Sequence, residues 1–236
     1  MKEIVRRLKV LFWSLVWKFK KSQSLNLLVE SHFRRWSTAD HQNRVGLETA
    51  LSFLKEQPAV IIETGTSAYG TDSSRLFDSY IRSFGGKFSS VDINPYPSNR
   101  LKWAKSKGTK FFIGDSVDFL KNLDADTKVD FIYLDSWDVD WSNPLASAQH
   151  GYREIFEIRK FIKESLILVI DDTPRELKWI PEENHIEAKK FLSLHGTLPG
   201  KGAFFTKALK DEDYDVLYHE YNLVIRFNSR IAGEKL

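Results

Sequence analysis

The 236 residues contain no cysteine. That absence excludes disulfide frameworks, thiolate metal sites and thiol nucleophiles, and leaves His, Asp and Glu as the metal ligands available. A long apolar run is missing as well. The strongest candidate, Val10–Trp17, is eight residues long and interrupted by Ser14, whereas a membrane-spanning helix needs about 20. No small-residue cleavage site follows it; Lys18–Lys21 does, which argues against a signal peptide. Internal repeats and low-complexity stretches are absent. No Gly-x-x-x-x-Gly-Lys-Ser/Thr spacing occurs, and His32, His41, His185, His195 and His219 show no zinc-ligand spacing.

The composition that is present, 42% hydrophobic and 28% charged, suits one large globular domain or a domain with an appendage. The net charge of +3 is unevenly spread. Residues 1–21 carry seven basic side chains and one acid, a local +6, so the remaining chain sums to −3. A slightly acidic body argues against nucleic acid as a partner, since phosphate contacts need a basic stripe. Ile4, Leu8, Leu11 and Leu15 recur at helical spacing beside Phe12, Val16 and Phe19. Residues 1–21 therefore read as a basic amphipathic helix. It suits either peripheral contact with a membrane surface or packing on its own domain or a second subunit, as in a homo-oligomer. The expected location is the cytoplasm, with a peripheral membrane association through this segment.

Residues 22–57 form a helical lead-in, and from there to residue 230 the chain alternates. Ala59–Glu63, Lys87–Asp92, Lys110–Ile113, Val129–Leu134 and Leu166–Ile170 read as strands. Helical patterns over Ser73–Phe84, Arg100–Lys107, Val117–Leu123, Ala146–Lys163, Glu182–His195 and Phe204–Leu209 lie among and after them. Val216–Tyr221 and Leu223–Phe227 are joined by a turn short enough only for antiparallel strands. The expected fold class is α/β, a Rossmann-like sheet of five parallel strands plus a C-terminal antiparallel hairpin, with helices on both faces.

Ligands of open α/β sheets bind at the carboxyl ends of the strands. Those ends carry Glu63 with Gly65, Asp92, Gly114-Asp115-Ser116, Asp135, and Asp171-Asp172. Like charges gathered on one edge repel, so they need hydroxyls, amines or a cation to face.

In order and spacing, this series with its closing hairpin resembles class I S-adenosylmethionine-dependent methyltransferases over roughly residues 45–228. The resemblance implies a cofactor-binding turn through Glu63, Gly65, Thr66, Ser67 and Gly70. It also implies a ribose contact at Asp92, with Ile93 beside it, and an adenine border at Gly114, Asp115 and Ser116. The alternative for Asp92 is a cap ahead of Asn94-Pro95. The segment FIYLDSWD (131–138) resembles the fourth-strand motif of the catechol O-methyltransferases, and Asp171-Asp172 falls where these and the macrocin-type sugar O-methyltransferases place further metal ligands. Asp135, Asp171 and Asp172 would then hold Mg²⁺, an oxygen-loving cation that acidifies a bound hydroxyl. Asp135 would also border the cofactor. The alternatives give Asp171 or Asp172 a capping role before Pro174, or give Asp135 only a cofactor or substrate contact in a metal-free enzyme. Catechol enzymes carry a lysine base three residues after the first ligand; here that position is Asp138. His150, Asp135 and Asp138 are the candidate proton acceptors. Pro199-Gly200-Lys201-Gly202 reads as a flexible basic loop.

The resemblance implies methyl transfer to a hydroxyl of a small polyhydroxylated acceptor: a sugar, a glycolipid or a glycoside. Two other classes compete. A nicotinamide-dependent oxidoreductase requires Gly-x-Gly-x-x-Gly after the first strand, which Gly65–Gly70 fits poorly. A non-catalytic scaffold on the same fold would not bind the cofactor.

Overall fold

The computed structural model describes residues 24–67, 70–163 and 165–228. The N-terminal helix expected over residues 1–21 lies outside them. Two helices, α1 (Leu25–Trp36) and α2 (Arg44–Ser52), precede the sheet. The strands are β1 (Ala59–Thr64), β2 (Gly86–Asp92), β3 (Thr109–Ile113), β4 (Phe131–Leu134), β5 (Ile167–Ile170), β6 (Tyr214–His219) and β7 (Leu223–Phe227). Between and after them run α3 (Ser73–Phe84), α4 (Pro95–Leu101), α5 (Ser116–Asn122), α6 (Leu145–Ile158), α7 (His185–His195) and α8 (Phe205–Ala208).

The strand order is β3-β2-β1-β4-β5-β7-β6. Strands β1 to β5 pair in parallel, whereas β7 pairs antiparallel with both β5 and β6. The chain moves outward from β1 to β3 and then crosses back to β4. The carboxyl ends of β1 and β4 therefore flank the topological switch point, where a crevice opens.

Alternating side chains send each strand's apolar residues to both faces. Ile61, Phe131, Tyr133, Ile167 and Val169 pack with Leu28, Val29, Phe33, Leu47 and Leu51 of α1 and α2 and with Phe77 and Tyr80 of α3. Ile62, Ile132, Leu134, Leu168 and Ile170 face the other way, onto Leu120 of α5 and Ile155 and Ile158 of α6. The lead-in helices thus share a core with the sheet.

Local chemistry moved some boundaries. The helix expected at Arg100–Lys107 begins earlier, at Pro95, because Asn94 caps it by accepting from Tyr96 N at 3.0 Å and proline is tolerated in a first turn. The pattern over Ala146–Lys163 breaks at Ile158 into a 3₁₀ turn, Arg159–Phe161. Strand β6 starts two residues sooner than expected and carries an irregularity between Val216 and Tyr218. Among the described residues, no helix is long and apolar enough to cross a membrane.

Candidate active site

The turn after β1 lies against the end of β4. A Cβ on Gly65 (φ +82°) would come within 2.1 Å of the Asp135 carbonyl oxygen, so only glycine permits this approach. Thr66 N donates to Asp92 Oδ2 at 2.9 Å, which ties the turn to the end of β2, and Asn94 N donates to Asp92 Oδ1 at 2.7 Å. Ser67 N donates to Ser74 Oγ at 2.7 Å, and Arg100 Nη2 donates to Ser67 Oγ at 2.8 Å. From the lead-in, Ser37 Oγ donates to the Gly70 carbonyl at 2.5 Å.

Glu63 is fully buried beneath this turn and receives hydroxyls from Ser73, Ser74 and Ser90. Burial pushes its carboxyl up to about 7, against the pull of those three hydrogen bonds. Its side chain braces the turn from below and is not placed to touch a ligand.

Two cavities adjoin the switch point. One is lined by Asp92, Ile93, Gly114, Asp115, Ser116 and Trp137, with His150 at its base. Ile93 is 75% exposed and Trp137 46%, so two apolar surfaces stand open there. Asp115 caps α5 by accepting from Asp118 N at 3.0 Å. His150 Nε2 lies 3.0 Å from Ser116 Oγ and 2.9 Å from Ser136 Oγ, and its ring sits 5.0 Å from that of Trp137. Glu154 accepts from Ser136 at 2.8 Å. This buried network positions His150 as a support of the first cavity. Of the three candidate proton acceptors, His150 lines the first cavity, while Asp135 and Asp138 line the second.

The second cavity, of about 390 Å³, is lined by His41, Gln42, Asp135, Asp138, Trp141, Asp172 and Tyr221, among others. Asp135, Asp171 and Asp172 do converge here. The group that faces them is Lys201. Its ammonium, 3% exposed, contacts Asp135 Oδ1 and donates to Asp172 Oδ2 at 2.8 Å. Asp171 Oδ2 accepts from Asn43 Nδ2 at 2.7 Å and from the Tyr133 hydroxyl at 2.6 Å, while Asp171 Oδ1 accepts from Asp172 N at 2.8 Å. The Tyr221 hydroxyl donates to Asp172 Oδ1.

Burial raises Asp135 well above the carboxylate range, an effect that Lys201 opposes and Asp171 and Asp172 reinforce. Burial, then Asp172, raises Asp171. Burial alone would depress Lys201, but the three carboxylates outweigh it and hold the ammonium charged. His41 is held below the usual histidine range by burial, partly offset by Asp40. His41 Nδ1 accepts from Asn43 N at 3.2 Å, which leaves Nε2 as the N–H of the neutral ring, on the Gly70 side.

The donor set does not fit the Mg²⁺ site expected from Asp135, Asp171 and Asp172. Hard cations of this kind need several open oxygen ligands. Here an ammonium stands among the acids, and Asp171 is taken up by three donors. Among the described residues, no group of three or more His, Asp or Glu side chains is arranged to hold a metal ion. Nor do Asp171 and Asp172 cap a helix; Asp172 adopts a left-handed backbone (φ +43°) that turns its carbonyl toward Lys201 N, at 3.0 Å.

The loop carrying Lys201 is buried. A Cβ on Gly200 would meet the Asp172 carbonyl oxygen at 2.1 Å. The sequence signal for this contact was present: a lysine between two glycines, and acids that required an amine or a cation. Asn43, Tyr133, Tyr221 and His41 had no comparable signal.

No family model matches the chain, and no curated protein matches its sequence. Solved structures do match its fold. The MycE methyltransferase of the mycinamycin biosynthetic pathway, solved with Mg, SAH and mycinamycin VI, is 14% identical with a TM-score of 0.59 over 91% of this chain. The chain spans only 57% of the MycE length. The SAH-bound methyltransferase PaMTH1 of Podospora anserina is 15% identical with a TM-score of 0.54, covering 87% of this chain and 88% of its own. A candidate caffeoyl-CoA O-methyltransferase of Staphylococcus aureus is 12% identical with a TM-score of 0.54, covering 88% and 93%. The chain shares its fold with these methyltransferases.

Proposed function

We propose that this chain is an S-adenosylmethionine-dependent methyltransferase that modifies a hydroxyl of a small polyhydroxylated acceptor, such as a sugar, glycolipid headgroup or glycoside. The observation that carries the reading is the pair of cavities meeting at one backbone junction. Asp135 lines the acidic cavity and its neighbours Ser136 and Trp137 line the other, while Gly65 packs on the Asp135 carbonyl between them. A nucleoside resting against the first cavity, which encloses about 60 Å³ and so takes only part of it, would present its reactive end to the other.

The residues of the first cavity suit an adenosine. Ile93 and Trp137 offer exposed apolar surfaces for a base, and Asp92 offers carboxylate lone pairs for ribose hydroxyls. When bound, S-adenosylmethionine supplies an electrophilic methyl group. The acceptor cavity has Trp141 as an apolar wall and His41, Gln42 and Asp138 as polar contacts, a combination suited to a hydroxylated ring. The chain's work is to hold the acceptor oxygen in line with the methyl group, where positioning alone accounts for much of the rate. The new C–O bond would form as the sulfonium S–CH3 bond breaks, its electron pair leaving on the sulfur of S-adenosylhomocysteine, and the hydroxyl proton must leave. Asp138 is exposed at this cavity and not engaged by Lys201, so it is the carboxylate we assign to take it. Magnesium assistance, the other form of this reading, is not supported by the donor set around Asp135, Asp171 and Asp172.

Calorimetric titration with S-adenosylhomocysteine tests the proposal. Micromolar binding that is lost in Asp92→Ala is expected. Absence of binding would favour a non-catalytic scaffold.

A further inference from the structure

We infer that Lys201 is the resident cation of this site: its side-chain ammonium takes the position a divalent ion would occupy among Asp135, Asp171 and Asp172, so the native chain binds no divalent metal there. The inference deepens the methyltransferase reading, on which it rests only for what the site does; the geometry stands by itself.

Three carboxylates from two adjacent strand ends converge at one wall of the acidic cavity. Asp135 is 7% and Asp172 17% exposed. Uncompensated, such a cluster is unstable, and a bound cation is one remedy. The chain provides another. The backbone on either side of Lys201 is locked in place: Lys201 N donates to the Asp172 carbonyl at 3.0 Å and Gly202 N to Thr173 Oγ1 at 3.0 Å. From the far side, α6 comes so close that a Cβ on Gly151 would lie 2.0 Å from the Lys201 carbonyl oxygen. The lysine's backbone is therefore held between the segment that follows β5 and α6, and its ammonium stays among the acids.

Lys201 is absent from the lining of the acceptor cavity and acts through the acids it holds. It is a positioning residue: it fixes the Asp135 and Asp172 carboxylates beside the cavity and supplies the charge that keeps them there.

The test is binding of Mn²⁺ to the full-length protein, followed by electron paramagnetic resonance of the free ion and by calorimetry. Wild type should not bind. Lys201→Ala opens a space bounded by three acids and should bind one Mn²⁺ at least about a hundredfold more tightly than wild type, because the lost counter-charge must be replaced. Adding Asp172→Asn should abolish that gain. A merely structural lysine would not produce a new metal site. Should Lys201→Ala fail to fold by circular dichroism, Lys201→Ser opens the same space with a small polar side chain, and the same gain is expected there. One Mn²⁺ bound by wild type and lost in Asp171→Asn overturns the inference, as does a folded Lys201→Ala that gains no binding. The wild-type arm needs no variant. S-adenosylhomocysteine titrated into the same wild-type samples should bind equally with and without EDTA. A chain that binds neither ligand fails as a methyltransferase yet leaves the lysine-for-metal assignment intact.

Discussion

The two sides of the switch point handle their carboxylates in opposite ways. At the end of β2, Asp92 accepts from the backbone N–H groups of Thr66 and Asn94 and lies at an open cavity. At the ends of β4 and β5, Asp135, Asp171 and Asp172 are withdrawn from solvent and matched by Lys201, Asn43, Tyr133 and Tyr221. One side keeps an acid available to a ligand; the other satisfies its acids internally. An acid at a strand end therefore marks a binding crevice, but its partners decide whether it faces a ligand, a metal or the protein.

The largest effect should come from breaking the internally satisfied side. Removing one partner of a buried charge cluster costs about 3–5 kcal/mol. Lys201→Met should lower the unfolding free energy by about that amount in urea titrations, whereas Asp92→Ala, which loses two hydrogen bonds at an open cavity where water can replace them, should cost about 1 kcal/mol. Equal losses for the two variants would erase the distinction between the sides.

Asp92→Ala should act on binding instead. Hydrogen bonds to a charged group are worth about 1.5–3 kcal/mol, so S-adenosylhomocysteine affinity should fall at least about tenfold. Lys201→Met, if folded, should alter it far less. Calorimetry on both variants decides.

Beneath the turn, Glu63 sharpens the contrast, since it is a buried acid without a cation. Its pKa rises from 4.5 unfolded to about 7 folded. Between those values the native state holds a proton that the unfolded chain releases, so this group's contribution to stability falls as pH rises through that window. From pH 5.5 to 8 the loss should be about 2 kcal/mol. Glu63→Gln should flatten that dependence in paired urea titrations.

The same contrast explains what was legible in the sequence. The parallel strands announced themselves as apolar runs such as AVIIE and LILVI, and the closing hairpin by its short turn. On the β2 side the contacts are near in sequence: Thr66 and Asp92 are 26 positions apart, within one β-α-β unit. Gly65 and Asp92 could be singled out from the local pattern alone. The acid cluster depends on distant partners. Lys201 lies 66 positions from Asp135, and Asn43 lies 128 from Asp171. Local patterning showed three acids in need of a counter-charge but not which group supplied it. It also could not tell that His150 would turn toward Ser116 and Ser136, because a helix's rotation is set by packing.

The smallest effect should be the most discriminating between the two sides. Trp137 and Trp141 stand four residues apart in one loop, yet Trp137 lines the first cavity and Trp141 the acidic one. Stacking of a base on an aromatic ring is worth about 1–3 kcal/mol, and Trp137, at 46% exposure, should fall at the low end. Trp137→Ala should therefore weaken S-adenosylhomocysteine binding about fivefold. Trp141→Ala should leave that affinity unchanged and, once an acceptor is identified, raise its KM with kcat little altered, as expected for loss of uniform binding. A cofactor effect from Trp141→Ala as large as that from Trp137→Ala would mean that one ligand fills both cavities, and the division into a cofactor side and an acceptor side would have to be redrawn.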